Sequence, residues 1–353
     1  MYEKLLLQDY WLVDRNEVID TMELDIYFHD NYGKLYERAE NGSAMIFIFT
    51  HDYGTIKTQF IKREIPIRID GQTYYDIVTP YGYGGPLIVE FENDKKEDLV
   101  LEFCKEFEQY CRDSSIVSEF IRFHPIVDNA TDFKSIYQTD NIRKTVGTNL
   151  KRFADPFQDE FSKSCRKDVR KALRQGVTYR VSEKPTDISN FKEIYYSTMD
   201  RNNAAEYYYF DDKYFDSCME YFRDNLLLVE AIYQENTIAA GLYFISNKTI
   251  HMHLSGTLSE YLYLSPSYIL KYGTTIWGVE NGFEMIHHGG GRTNSPDDPL
   301  YLFKKQFGKN TEFDFYTGKR IWNEEIYNKL VNKNNQVKSK EKQDPGYFPA
   351  YRA

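Results

Sequence analysis

Residues 283–307 read Phe-Glu-Met-Ile-His-His-Gly-Gly-Gly-Arg-Thr-Asn-Ser-Pro-Asp-Asp-Pro-Leu-Tyr-Leu-Phe-Lys-Lys-Gln-Phe. The stretch predicts a short buried strand carrying Phe283, Met285 and Ile286, a triple-glycine turn, a polar loop, and a helix that opens after Pro299. Gly289, Gly290 and Gly291 remove every side chain from one backbone corner. A ligand can then approach the peptide N–H groups, and positive φ is permitted. Such a corner suits an oxyanion or a phosphate; a flexible loop leading into a core helix explains the same residues. Asp297 and Asp298 cap the next helix, and Phe303 and Phe307 share one face of it with Lys304 at the edge.

The chain has 353 residues, enough for two cored domains, and its 31 Tyr and 24 Phe predict a globular fold. No stretch approaches 18 uninterrupted apolar residues and no signal sequence is visible, so a cytoplasmic location is expected. Cys104, Cys111, Cys165 and Cys218 lack metal-finger spacing and read as reduced core thiols. A histidine metal site would need three convergent ligands, so no metal is expected.

A net charge of −10 argues against broad binding to nucleic acid or to an anionic membrane. One local basic patch stands out: Lys163, Arg166, Lys167, Arg170, Lys171 and Arg174 recur on one face of a helix whose other face is apolar. Arg166, Lys167 and Arg170 are candidates to hold phosphate, and a solvated helix face is the alternative. A second glycine corner, Tyr81-Gly82-Tyr83-Gly84-Gly85, interleaves aromatics with glycine. Tyr81 and Tyr83 can wall a substrate pocket, or the segment is a structural turn.

In the first part, strands are predicted at 44–50, 74–78 and 116–124, one or two strands over 56–69, a strand or loop at 87–91, and a helix over 95–112. Residues 128–140 are polar and turn-rich, the first credible boundary. From 161 the prediction is helix 161–175, strand 177–181, helices 187–203 and 211–225, strands 226–233, 237–246 and 249–254, helix 265–281, strand 283–288, helix 299–307 and strand 311–316. A three-strand run followed by alternating helices and strands argues for a mixed sheet covered by helices. Residues 333–346 read as flexible, and the aromatic end, 346–351, as a segment that docks back on the body.

That order resembles the GCN5-related acyltransferase (GNAT) fold, and more specifically the FemABX family of peptidoglycan aminoacyltransferases and their relatives in surface-polysaccharide gene clusters. The resemblance rests on the basic helix with Arg166, Lys167, Arg170, Lys171 and Ala172, and on His288-Gly289-Gly290-Gly291 followed by Phe303-Lys304-Lys305-Gln306-Phe307. It covers residues 140–320 best. It implies an α/β (α+β) chain of two tandem GNAT-like domains, each a mixed, splayed sheet flanked by helices. The expected division is 1–145, 146–332 with the active site, and a tail over 333–353. The coenzyme A turn of the wider fold is missing: Ser255 to Pro266 lacks the Arg/Gln-x-x-Gly-x-Gly/Ala pattern. A long helical arm found in some family members is missing too.

Acyl transfer to an amine needs a neutral amine, a place for the oxyanion and a proton path to the leaving oxygen. The resemblance puts Lys304 at the centre. His288 and Asp298 are candidate proton carriers from the residues themselves, with a satisfied histidine and a helix cap as the alternatives. Gly289, Gly290, Gly291, Arg292 and Phe303 line the substrate side. The expected function is N-acylation of an amino group on a nucleotide- or lipid-linked cell-envelope glycan precursor, with aminoacyl-tRNA as favoured donor and no cofactor. An acyl-CoA donor acting on an amino sugar, or a degenerate protein that only binds precursors, are the alternatives. DNA is not an expected partner, and membrane contact is at most peripheral, at the inner face.

Overall fold

The computed structural model describes residues 5–7, 10–13, 24–337 and 346–353. They form two units, the first taking residues up to 142 and from 315 onward, the second taking 24–26 and 143–314.

In the first unit the chain forms β1 (Leu5–Leu7), β2 (Tyr10–Val13), α1 (Glu37–Glu40), β3 (Gly42–His51), β4 (Gly54–Glu64), β5 (Tyr75–Val78), β6 (Leu87–Phe91), α2 (Lys96–Asp113), β7 (Ile116–Arg122) and α3 (Asn129–Phe133). The strands lie in the order β1-β2-β3-β4-β5-β7, with β6 on β4. β3, β4 and β5 are antiparallel in turn, whereas β5 and β7 are parallel. Parallel neighbours need a crossover, and α2 lies within it. Its Leu99, Val100, Phe103, Phe107 and Cys111 recur at helical spacing and are buried against Phe47, Phe60 and Ile121.

β8 (Gln138–Asn149) runs out of the first unit into the second. There follow α4 (Pro156–Asp159), α5 (Lys163–Arg174), β9 (Thr178–Glu183), α6 (Ser189–Arg201), α7 (Asp212–Phe222), β10 (Leu226–Tyr233), β11 (Asn236–Ser246), β12 (Thr249–Thr257), α8 (Pro266–Glu280), β13 (Met285–Gly290), α9 (Pro299–Lys305), β14 (Glu312–Ile321) and α10 (Glu324–Val337). The second unit orders its strands β8-β13-β12-β11-β10-β9, all antiparallel except β12 with β13. α8 makes that crossover. It packs with α5 and α4 on one face of the sheet, over a core of Val169, Leu227, Val229, Tyr243, Ile250, Ile269 and Ile286. On the other face α6 lies against β11 and β12. Both units are thus mixed sheets flanked by helices, with β2–β3 and β5–β7 parallel in the first and β12–β13 in the second, the α/β architecture expected of the GNAT fold.

Three expectations need correction. The turn-rich boundary at 128–140 holds α3 and the start of β8, because a polar strand paired through its backbone needs no apolar alternation. The divisions expected at 145 and 332 fall at 142 and 314, since β14 pairs with β7 over Thr317–Ile321 and α10 buries Ile326, Tyr327 and Leu330 in the first unit. Residues 333–337, expected to be flexible, are the last residues of α10; 338–345 lie outside the described residues. At the chain end Tyr351 meets Ser118 at 2.7 Å and donates to Asp76 at 3.2 Å.

Candidate active site

The parallel pair β12 and β13 is joined only at Thr249–Met285, Ile250–Ile286 and His251–His287. β12 continues to Thr257 and β13 to Gly290, so the strands part from Met252 and His288 onward. Alternation along the strands places Met252 and His288 on the α8 face, with Ile250 and Ile286. Into this opening come Lys271 from α8, Lys304 from α9 and Arg143 from β8.

Where a glycine turn was expected, β13 continues through Gly289 and Gly290 as a bulged strand on β8, with the register shifting between His287 and Gly289. Gly289 has φ of 74°, a conformation that favours glycine. The corner presents carbonyls rather than N–H groups: Lys304 Nζ donates to Gly290 O at 2.7 Å and Arg143 Nη1 to Gly291 O at 2.6 Å. The anion position beside it is filled by the protein itself. Asp298 accepts from the backbone N–H of Arg292, Thr293, Leu300 and Tyr301 and from the Thr293 hydroxyl, all between 2.9 and 3.0 Å. Gly291 is what admits it, since a Cβ there would lie 2.4 Å from Asp298 Oδ1. Those donors, led by the Tyr301 N–H, hold the Asp298 carboxyl far below its ordinary range. Asp298 is therefore a helix cap and a fixed negative charge, not a proton carrier. The Arg292 side chain is exposed, and Phe303 packs edge-on against Tyr268 and Phe307 as an anchor of α9.

Burial brings the Lys304 ammonium down to about 8, with Asp298 opposing the shift and Arg143 adding to it. Lys271, buried in the middle of α8, is brought to about 7 by burial and by the charge of Lys304. It donates to the thioether of Met252 and lies 5.7 Å over the Tyr243 ring. His288 is pushed well below its usual value by burial, then by Lys271 and Lys304, and is neutral. Its tautomer follows from the neighbours. The single Thr148 hydroxyl proton goes to Phe307 O at 2.7 Å, so His288 Nε2, also 2.7 Å from Thr148 Oγ1, must donate. The bare Nδ1 faces Met252 Sδ at 3.1 Å.

The other histidines lie elsewhere. His251 and His253 point to the opposite face of β12, where His251 Nε2 meets Asp25 at 2.7 Å and burial takes His253 down to about 3. On α5, Arg166 turns back to the carbonyls of Gln158 and Phe161, and Arg170 stacks 5.5 Å over Phe157, while Lys167 is exposed. In the first unit Tyr83 is packed edge-on against Tyr27 and Phe315, and Tyr81 lies 5.8 Å from Tyr36.

Sequence reasoning missed Lys271 and Arg143. A signal for Lys271 existed: it is the only charge in α8 before Glu280, and it shares its face with Thr274, Thr275 and Gly278, all buried. Arg143 sits in a polar strand, where nothing distinguishes it from Lys144.

Residues 159–297 match the family model described as Acetyltransferase (GNAT) domain. UDP-N-acetylmuramoylpentapeptide-lysine N(6)-alanyltransferase of Weissella viridescens is 21% identical over 179 residues, 49% of this chain and 51% of its own. The match thus spans about half the length of that curated relative. Among solved structures, FemX superposes with a TM-score of 0.64 at 13% identity, over 86% of this chain and 94% of its own. The C-terminal domain of a putative lysylphosphatidylglycerol synthetase from Agrobacterium fabrum gives 0.54 at 12% identity, over 86% and 91%. At such identities the superpositions speak for the fold. Residues 159–297 thus carry a GNAT acetyltransferase domain, in a chain that is similar to that alanyltransferase and shares the fold of FemX.

Proposed function

We propose that the protein is an acyltransferase that N-acylates an amino group of a nucleotide- or lipid-linked cell-envelope precursor in the cytoplasm, with aminoacyl-tRNA as donor. The observation that carries this reading is Lys304: a half-buried ammonium bonded to Gly290 O where β12 and β13 part. An ester carbonyl seated there develops negative charge as an amine attacks, and a cation in a dry site stabilises it far better than water does. The alanyltransferase relative acts on a lysine N(6) of a UDP-linked pentapeptide, by its name, and that acceptor class is carried to this chain as part of the proposal.

An acyl-CoA donor fits less well. Between β12 and α8 the chain winds a 3-10 turn, Ser259–Leu264, and enters the helix through Ser265 and Pro266 at its first position. That entry offers no glycine-bearing loop of N–H groups for a pyrophosphate. The test is to incubate the purified protein with alanyl-, seryl-, glycyl- and lysyl-tRNA or acetyl-CoA, and with UDP-N-acetylmuramoyl pentapeptide, its lipid-linked form or phosphatidylglycerol vesicles. Mass spectrometry of the acceptor should show the gain of one aminoacyl residue on the pentapeptide amine. A gain from acetyl-CoA alone moves the donor to the coenzyme. A gain on phosphatidylglycerol alone moves the acceptor to the lipid headgroup. No gain anywhere leaves a protein that only binds precursors.

A further inference from the structure

Lys271 is a buried amine without a counterion. Among the described residues it forms no ion pair, and its bond to the Met252 thioether is a weak one. Around it stand Tyr243 on β11, whose buried hydroxyl has no hydrogen-bond partner, Met252 on β12, the bare Nδ1 of His288 on β13, and Lys304 on α9. The other ionisable groups against α8 are Tyr179 of β9 beside Tyr272, and Cys165 and Asp168 of α5 near Tyr268. The carboxylate beside Lys304 is Asp298, which is committed to backbone N–H groups. An uncompensated ammonium in such a place costs several kcal/mol, so the proton is the part that leaves. Packing alone has no need of this amine, because a methionine or leucine would fill the same space on α8 without the cost.

We propose that Lys271 is the general base of the site, taking as a neutral amine the proton that the acceptor nitrogen sheds while Lys304 gives its own to the departing oxygen. This rests on the reading of the protein as an acyltransferase acting on an amine. As the N–C bond forms, the attacking nitrogen becomes a far stronger acid than a free ammonium, within reach of a base that titrates near neutrality. Lys271 ends as the ammonium, the C–O bond of the ester breaks, and the oxygen leaves as a hydroxyl with the Lys304 proton. Proton count is unchanged, and the two lysines exchange roles until solvent resets them. Mutual repulsion keeps one amine charged and one neutral, the division of labour that acid–base catalysis needs. Met252, at the mouth of the opening, is the residue an incoming amine would displace from Lys271.

The test uses the whole chain with the tRNA donor and pentapeptide acceptor named above, and the variants Lys271→Met and Lys271→Arg. Both should lose about 100- to 1000-fold in kcat, because arginine restores charge and size but does not give up its proton. The remaining activity should lack the acid limb of the wild-type pH profile, and the melting temperature of Lys271→Met should equal or exceed the wild-type value. Independently of activity, 13C-lysine-labelled protein should show the Lys271 Cε signal titrating near neutral pH, and Lys304→Met should move that midpoint up. A Lys271→Arg enzyme with wild-type turnover and profile, or a Lys271 midpoint near that of a free lysine, overturns the assignment and leaves the acyltransferase reading standing. Absence of transfer by the wild type overturns both.

Discussion

Lys304 and Lys305 are adjacent, yet their surroundings separate their roles. Lys305 leaves the site and pairs with Glu312 at 2.9 Å, whereas Lys304 is held on Gly290 O. Lys304→Met should lower kcat about 100-fold or more, roughly 2.7 kcal/mol of transition-state stabilisation, with substrate affinity little changed. Lys305→Met should stay near wild type; equal turnover in the two variants would remove Lys304 from the chemistry. Asp298→Asn asks a different question. It loses one acceptor of the loop cap, so the melting temperature should fall while the pH limbs of kcat stay in place. The sign of its linkage follows from its depressed folded value: the carboxylate contributes stability above the ordinary carboxylate range and loses it as pH falls toward that low value. The Asp298→Asn variant should therefore lack this acid-side slope in a thermal-melt series from about pH 2 to 6. The setting of Lys304 on a helix between Phe303 and Phe307 was legible in the sequence. The use of the glycine corner was not, because whether a backbone turns its N–H or its C=O toward a site depends on the bulge at Gly289, and three glycines permit both.

Among the elements, β10, β11 and β12 were legible to within a few residues, since long apolar runs broken by Gln234-Glu235 and Asn247-Lys248 admit little else. These four turn residues all take positive φ. β8 was not legible, because Thr-Asp-Asn-Ile-Arg-Lys-Thr shows no alternation until Val146, and its place is set by backbone pairing to β13. α10 was hidden for a related reason: Ile326, Tyr327 and Leu330 are its few buried apolar side chains amid Asn and Lys. The basic face of α5 was legible as a helix but not in its division of labour. Arg166 and Arg170 are spent on Gln158, Phe161 and Phe157, which leaves the three lysines Lys163, Lys167 and Lys171 as exposed cations, with Arg174 beside them at the helix end. Replacing these three lysines together with Gln should weaken tRNA binding and flatten its dependence on log salt by about two units, with melting unchanged. An unaltered slope would assign the face to solubility.

On the scale of the whole chain, the first unit carries its own pH sensitivity. Glu119 is fully buried, accepts from Tyr137 at 3.0 Å and Trp322 at 3.1 Å, and burial takes its carboxyl up to about 8 against the pull of those donors and Arg320. A folded value above the unfolded one means that the native state binds the proton more tightly. Stability linked to this group is therefore full below about pH 4.5 and declines as pH rises toward 8. Glu119→Gln should flatten that decline, seen as melting temperatures that converge at acid pH and diverge above neutrality. The chain end bears on the same unit. Asp76 is buried and receives Arg63 at 2.8 Å, Arg352 and Tyr351. Ending the chain at residue 345 should cost on the order of 2 kcal/mol in urea unfolding of the full remaining protein. An unchanged midpoint would show that Arg63 alone satisfies the carboxylate.

The two site lysines of the second unit also bear on how the protein responds to selection. Lys271 is buried and Lys304 half-buried, and among the described residues neither is bonded to a carboxylate, so most neutral replacements at 271 and 304 relieve the native state. A laboratory screen that rewards heat resistance alone would reach these positions early and lose the activity on the way. A lineage that retains both lysines while drifting elsewhere in α8 and α9 is being held there by turnover.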